Sequence, residues 1–242
     1  MRSVLTAFKV LETVSGAQPV GVTEIARELN LPKSTVQRSL KALNEAGWIR
    51  CYNDAGLTRW VLTLKPLRVA ATSGPLETLR QQALPIMETL RRQTSESVHL
   101  NVRDGDEMVV IEKLDSLLSV RTFNELGGRA PLHASATGKA ILSLLDPGTL
   151  EALLGCKLIE YTSETITDPH VLGLHLDLVR ELGYSTNRGE WREDVFSVAA
   201  PIRGYRLIEA ALSISLPMSR HDANQVANWG ALLVAATAQL SS

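Results

Sequence analysis

The region that most constrains the fold of this chain is residues 33–46, whose pattern predicts one helix with two different faces. The apolar face has helical spacing and predicts a buried stripe, which consists of Val36, Leu40 and Leu43. The other face is polar and contains no carboxylate; it consists of Ser34, Gln37, Arg38 and Lys41. Pro32 suits the first turn of this helix and Gly47 suits its end. The cationic face therefore has the chemistry of a surface that meets a polyanion.

The elements around this helix form an ordered set within about 60 residues. A first amphipathic helix is predicted over residues 4–14, and a short second helix begins with Thr23 as its N-cap. A tight connection at residues 30–32 leads into the third helix. Two strand-like stretches follow, at about 48–52 and 59–63, and are joined by a turn. This order is typical of a winged helix-turn-helix.

In that motif the third helix enters the major groove of DNA, and its polar residues suit the task. Arginine pairs bidentately with guanine and glutamine with adenine, whereas lysine and serine suit phosphates. The candidate DNA-contacting residues are Lys33, Ser34, Thr35, Gln37, Arg38 and Lys41 on the helix, with Arg50 and Arg59 on the hairpin. The alternative is an ordinary surface helix with solvated charges, which the ordered set of elements disfavours.

Charge is distributed unevenly along the 242 residues. Residues 1–73 carry a net charge of +5, and the remainder carries −6, so only the first part favours a polyanion. No apolar run is long enough to span a bilayer, and we expect a cytoplasmic protein. Cys51 and Cys156 form no paired motif, so we expect free, partly buried thiols. The pattern predicts no metal and no cofactor.

The pattern beyond residue 75 mixes strands and helices without regular alternation, which favours an α+β fold. We expect a DNA-binding domain at 1–64, a linker helix and break at 65–75, and a larger effector-binding and oligomerisation domain at 76–242. In that last domain we expect a strand pair at 98–102 and 108–114, helices at 136–145, 149–154 and 168–182, strands at 195–200 and 209–216, and a final helix at about 221–239.

Small residues dominate the stretch 134–140 at a predicted helix start. Ser135 can act as the N-cap, which leaves the backbone amides of Ala136 and Thr137 available to a carboxylate. Ser213 and Ser215 are two apart, so they share one face of a strand. The alternative for 134–140 is close packing of helix on sheet with no ligand. The Gly138-Lys139 pair lacks the flanking residues of a nucleotide-binding loop.

Segments spread over nearly the whole chain resemble the IclR family of bacterial transcription regulators. These are residues 22–26, 31–38 and 43–49, then Leu132–Ala140, Gly189-Glu190, Ser197–Ile202 and Ala211–Pro217. The resemblance implies a GAF-like effector domain with a curved, mainly antiparallel sheet flanked by helices. It also implies homodimers or homotetramers that bind double-stranded operator DNA.

By the same resemblance, the effector pocket is lined by Ala136, Thr137, Asn187, Ser197, Ser213 and Ser215. Ser197 stands where the family commonly has cysteine, Asn187 where an acid is frequent, and Ser95 where glycine is usual. We therefore expect a regulator, not an enzyme, whose operator binding responds to a small organic acid, specifically a carboxylate.

Two other classes of function remain open at this point. An enzyme could use His133 near Ser135, or Glu190 as a lone acid, but no third catalytic member is evident. His170 and His175 are five residues apart, which does not match metal-ligand spacing. A winged helix could also serve protein contacts alone. DNA affinity that falls steeply with salt would separate a regulator from both alternatives.

Overall fold

The computed structural model describes residues 2–70, 74–155, 157–205 and 208–241, which form two compact units. The first unit comprises Met1–Gly74 and the second Pro75–Ser242. Cys156 and residues 71–73 of the linker expected at 65–75 lie outside the described residues. Cys51 is a free thiol and is exposed, which corrects the expectation of partial burial. Within the described segments, no helix is long and apolar enough to cross a membrane.

The first unit has the expected order of three helices, a hairpin and a short fourth helix. Its elements are α1 (Arg2–Ala17), α2 (Val22–Glu28), α3 (Lys33–Glu45), β1 (Ile49–Asp54), β2 (Leu57–Leu62) and α4 (Lys65–Ala70). β1 and β2 pair antiparallel, and the hairpin is joined to the chain before α2 by a bridge between Val20 and Trp60. This arrangement is a winged helix-turn-helix.

The core of the first unit forms where the apolar stripes of the helices meet. Its buried members include Val10, Val14, Ile25, Val36, Leu40, Leu43 and Ile49. Only part of the apolar face predicted for α1 is buried in this core, since Val4, Leu5 and Phe8 are exposed. A continuous apolar surface therefore remains on α1 within this unit.

The start of α2 differs from the prediction. Gly21, not Thr23, is the N-cap, and the carboxylate of Glu24 accepts a 2.7 Å hydrogen bond from the Gly21 amide. An acid at the third helical position can satisfy the cap amide by itself, so no cap hydroxyl is needed. The end of α3 is as expected, since Gly47 follows the last turn with φ of +75°.

The second unit is built on a six-stranded, fully antiparallel sheet in the order β5-β4-β3-β8-β7-β6. Its strands are β3 (Ser97–Asp104), β4 (Glu107–Leu114), β5 (Arg129–Pro131), β6 (Ser185–Arg188), β7 (Val195–Ile202) and β8 (Ala210–Pro217). Its helices are α5 (Gly74–Thr94), α6 (Ala136–Leu142), α7 (Pro147–Leu154), α8 (Pro169–Leu182) and α9 (Ala223–Ala238). The α+β prediction is therefore confirmed.

The two faces of the sheet have different partners. Residues of α5 and α9 form one core with the even-numbered positions of β3, β7 and β8, such as Val98, Val198 and Ile214. On the other face, α6 and α8 form a second core that includes Ala140, Leu172 and Leu176. Since side chains alternate along a strand, the odd-numbered positions of β3, β7 and β8 lie on the α6 side.

Three local features differ from the predicted elements. The sequence has helical spacing from Leu76 to about Thr94, with Pro85 as a point where one segment could end, and α5 continues through it. The short strands β5 and β6, at the two edges of the sheet, were not predicted at all. α6 ends at Leu142, three residues before the predicted end. Strands of three and four residues are too short to show a periodic pattern, so sequence alone does not reveal them.

Candidate functional site

The polar face of α3 is open to solvent in the first unit. Lys33, Ser34, Gln37, Arg38 and Lys41 are exposed, and Thr35 is half-buried near the helix start. The opposite face is buried in the core through Val36, Leu40 and Leu43. The predicted DNA-contacting residues of α3 thus form one continuous surface. Arg50 of β1 is also exposed.

Two of the predicted DNA-contacting residues have acidic partners. Lys41 lies 3.8 Å from the carboxylate of Glu45, one turn further along α3, and both side chains are largely exposed. Arg59 has a shorter contact, because its Nη1 donates a 2.6 Å hydrogen bond to Glu24. The Gly21 amide and Arg59 both hold the pKa of Glu24 below its usual value. Arg59 therefore joins the hairpin to the start of α2.

A cavity of about 250 Å³ lies in the second unit, against the α6 side of the sheet. The first turn of α6 and the irregular segment 115–128 form its other walls. All six residues named for an effector pocket line this cavity: Ala136, Thr137, Asn187, Ser197, Ser213 and Ser215. The structure therefore brings together residues that are up to 79 positions apart in the chain.

Strand register explains why these serines meet. Ser197 of β7 lies directly opposite Ser215 of β8, and Asn187 of β6 lies directly opposite Ser197. Directly opposed residues of an antiparallel pair share one face with Cβ atoms about 5 Å apart. Leu212, Ile214 and Leu216 point to the opposite face and join the α5/α9 core. The serines therefore face the cavity and not the outer surface of the protein.

Several hydrogen-bonding groups in the cavity have no partner within the described part of the chain. The hydroxyls of Ser197, Ser213 and Ser215 make no hydrogen bond there, although each serine is at most 8% exposed. The amides of Ala136 and Thr137, which begin α6, also have no acceptor among the described residues. Burying polar groups without a hydrogen-bond partner costs the folded state free energy, unless a molecule in the cavity bonds to them.

Asn187 holds the site together as well as lining it. Its side-chain nitrogen donates to the carbonyl of Ala134, and its Oδ1 accepts a 3.1 Å bond from the amide of Glu190. These contacts tie the loop after β6 to the chain just before α6. An acid at this position could not donate to Ala134, so asparagine suits this geometry better than the acid often found there.

The small residues at 134–140 serve two purposes. Ser135 caps α6 as predicted, because its side chain accepts a 3.1 Å bond from the amide of Gly138. Gly138 itself has no room for a side chain, since a Cβ there would lie 2.2 Å from the carbonyl oxygen of Leu132. Close packing therefore accounts for Gly138, whereas Ala136 and Thr137 border the cavity.

Lys139 does not point into the cavity. It is fully buried, and its Nζ lies 2.5 Å from both carboxylate oxygens of Glu190. Burial lowers the pKa of Lys139 and raises the pKa of Glu190, while the charge of each partner opposes the shift. Lys139 therefore adds no free charge to the cavity, and Glu190 is not the lone acid that an enzyme would need, because the two residues neutralise each other.

The remaining candidates for catalysis have structural contacts. The Nε2 of His133 lies 2.9 Å from the carbonyl of Ile159, with which it forms a hydrogen bond. Ser135 donates to the carbonyl of Pro131 at 2.6 Å, so it does not face His133 as a dyad partner. Among the described residues, no group of three His, Cys, Asp or Glu side chains could hold a metal ion.

The part of the cavity that β3 provides was not predicted from the sequence. His99 and Asn101 line the cavity, and both are almost fully buried. Their signal was present, because polar residues alternate with Val98, Leu100 and Val102. That alternation also fits a strand with one solvated face, which is the commoner arrangement in antiparallel sheets.

Comparison with protein families covers both units. Residues 76–242 match the C-terminal domain of the bacterial transcriptional regulator IclR, and residues 3–51 match the IclR helix-turn-helix domain. The chain is 31% identical over 242 residues to the HTH-type transcriptional regulator KdgR of Escherichia coli, covering 99% of this chain and 91% of that protein. It is 32% identical over 231 residues to the E. coli repressor AllR, covering 95% and 84%.

Solved structures give the same result. The Thermotoga maritima IclR structure superposes with a TM-score of 0.81 and 26% identity, covering 99% of this chain and 97% of that one. An IclR homologue from Microbacterium hydrocarbonoxydans, complexed with 4-hydroxybenzoate, superposes with a TM-score of 0.82 and 25% identity over 99% and 97%. The relatives are transcription regulators and not enzymes. This chain belongs to the IclR family of bacterial transcription regulators, with a DNA-binding winged helix-turn-helix followed by the family's C-terminal domain.

Proposed function

We propose that residues 1–64 bind operator DNA and that a small organic acid, bound in the cavity of residues 76–242, sets the affinity of that binding. The observation that carries the proposal is a set of hydrogen-bond donors in the cavity that have no acceptor among the described residues. The hydroxyls of Ser197, Ser213 and Ser215 and the amides of Ala136 and Thr137 line one cavity.

A carboxylate suits these groups because each carboxylate oxygen accepts several hydrogen bonds. Amides at the start of a helix favour an anion, and the small side chain of Ala136 allows close approach to the backbone. Glu190, which follows β6 near Asn187, is paired with Lys139 and does not line the cavity. The family member crystallised with 4-hydroxybenzoate provides a precedent for an organic acid ligand.

On the DNA side, we assign base contacts to Gln37 and Arg38, which are exposed at the middle of α3. We assign phosphate contacts to Lys33, Ser34, Thr35 and Lys41, and to Arg50 on the hairpin. Arg59 reaches DNA only if its ion pair with Glu24 opens, so we assign it mainly to positioning the hairpin.

We also propose that the regulator acts as a homodimer or homotetramer. One recognition helix reads only a few base pairs, and two half-sites supply both affinity and symmetry. Apolar residues remain exposed on α1 of the first unit, and on α8 of the second, where Val171, Leu174 and Leu178 recur at helical spacing. A ligand then acts by favouring one arrangement of the subunits over another, which requires different affinities for the two arrangements.

The experiment is a pair of matched double variants, Ser213→Val/Ser215→Val and Ser213→Thr/Ser215→Thr. Valine and threonine have nearly the same shape, so the two variants differ mainly in the hydroxyls. Small organic acids that change operator binding of the wild-type chain are identified by thermal shift and then by DNA titration. We expect the valine variant to bind DNA normally but to lose the response to the acid, and the threonine variant to retain it. An undiminished response in the valine variant would place the ligand elsewhere.

A further inference from the structure

The wall of the cavity formed by β3 is polar, and nothing in the proposed carboxylate site uses it. His99 lies directly opposite Ser213 in the β3–β8 register, so both side chains are on the cavity face. Asn101 lies two residues further along the same face. Asn124, from the segment over the cavity, places its Nδ2 3.2 Å from the Nε2 of His99. All three residues line the cavity.

These groups are neutral hydrogen-bonding groups with unused capacity. Burial lowers the pKa of His99 to about 4, so its imidazole is uncharged at neutral pH and has one donor and one acceptor nitrogen. Of the two ring nitrogens of His99, Asn124 forms a hydrogen bond only with Nε2. The other nitrogen of His99 and the whole amide of Asn101 have no partner within the described ranges. A hydroxyl group matches them, because it both donates and accepts without bringing a charge.

The distance across the cavity indicates the size of the ligand. The start of α6 is tied to β6, where Ser185 donates a 2.5 Å bond to the carbonyl of Ala136. β3 is three strand spacings from β6, which is roughly 14 Å. If a hydrogen bond of about 3 Å is subtracted at each end, the length that remains for the ligand is on the order of 8 Å. A cavity of about 150 Å³ holds benzene, so the present cavity of about 250 Å³ holds a molecule roughly 1.7 times as large.

We propose that His99, Asn101 and Asn124 form a hydroxyl-binding subsite and that the ligand is a polyhydroxylated carboxylic acid of five or six carbons. Its carboxylate lies at the start of α6, and its hydroxyl groups extend over β8 to β3. The inference rests on the proposed function, because it assumes that the carboxylate binds where that function places it.

The ligand is expected to carry hydroxyl groups because buried polar side chains without hydrogen-bond partners cost free energy. An acid with a plain hydrocarbon chain would cover His99 and Asn101 without bonding to them, which leaves buried polar groups unsatisfied. Sites built to bond a ligand hydroxyl reject the analogue without it by factors that reach about 10⁴. The apolar side chains of Phe123 and Trp191, which also line the cavity, suit the carbon–hydrogen face of such a molecule.

Two matched pairs of acids test the subsite on the full-length protein. The pairs are gluconate against hexanoate and 4-hydroxybenzoate against benzoate, with affinities measured by calorimetry. We expect gluconate to bind at least ten-fold more tightly than hexanoate. Equal affinities within the first pair would overturn the subsite and leave the proposed function in place. Binding of 4-hydroxybenzoate without gluconate would overturn the polyhydroxylated class. Failure of all four acids would overturn the carboxylate site itself.

The variant Asn101→Leu tests the residues. It removes the amide but keeps a branched side chain of similar size, and it should reduce the preference for gluconate over hexanoate at least ten-fold. Retained hexanoate affinity shows that the carboxylate end and the fold are intact. If Asn101→Leu fails to fold, Asn101→Ala removes the same amide without adding apolar bulk. An unchanged preference in a folded variant would remove Asn101 from the subsite and overturn the inference.

Discussion

At the scale of single residues, Lys139 is unusual because it is fully buried within a stretch of small residues. Its only charged partner among the described residues is Glu190, and the amide of Glu190 is in turn held by Asn187 of the cavity. The hydroxyl of Thr165 donates a 2.6 Å bond to the carbonyl of Glu190. The ion pair therefore anchors the loop after β6 beneath the cavity.

We predict that Lys139→Met lowers the free energy of unfolding by roughly 3–5 kcal/mol, because it leaves the carboxylate of Glu190 buried without a partner. The double variant Lys139→Met/Glu190→Leu removes both charges and should recover most of that loss. Urea denaturation of the wild-type chain and the two variants measures the difference. A single variant as stable as the wild type would show that water or another group already compensates Glu190.

At the scale of secondary-structure elements, α3 has one face for the core and one for DNA. We predict that Arg38→Ala weakens specific operator binding by roughly 1–3 kcal/mol and relaxes the preference at one base position. Lys33→Ala is the matched control, since loss of a phosphate contact weakens all sequences alike and reduces the salt dependence. Titration against a set of operator variants distinguishes the two. An Arg38→Ala profile identical to that of the wild type would exclude base readout by this residue.

The turn between α5 and β3 shows how an element tolerates an unfavourable residue. Ser95 has φ of +62°, in the left-handed region that glycine adopts more easily, and the family usually has glycine there. Backbone hydrogen bonds offset part of the cost of this conformation. The Ser95 amide donates to the carbonyl of Arg91, and its carbonyl accepts from the amide of Leu117 and from the hydroxyl of Ser116. Serine in place of glycine at position 95 therefore affects only this turn and does not move the cavity residues.

At the scale of the whole molecule, we predict an oligomer of at least two chains. Sedimentation velocity at micromolar concentration should give at least twice the mass of one chain, because exposed apolar faces remain on α1 and α8 and because palindromic operators require two recognition helices. The measurement is repeated with operator DNA. A single chain under both conditions would contradict the prediction and would require recognition of one half-site only.

The type and order of most elements follow from local patterns in the amino-acid sequence. The helical spacing of α3, the glycine after it and the alternation in β7 and β8 are local patterns, and local patterns follow from backbone geometry. Family resemblance extended this to the cavity, because motifs such as residues 132–140 and 211–217 occur together in the right order. The six pocket residues named in this way do line one cavity in the structure.

Which polar residues have partners depends on contacts between distant parts of the chain, and these contacts exist only in the folded protein. Lys139 and Glu190 are 51 positions apart, and Arg59 and Glu24 are 35 apart, so no local pattern reveals that each pair neutralises itself. The same holds for His99, whose alternating strand fits either a solvated face or a cavity until the position of α6 is known. Pairing, burial and the shared face of β3 and β8 are long-range properties that arise when the chain folds, and they determine which polar groups remain free for a ligand.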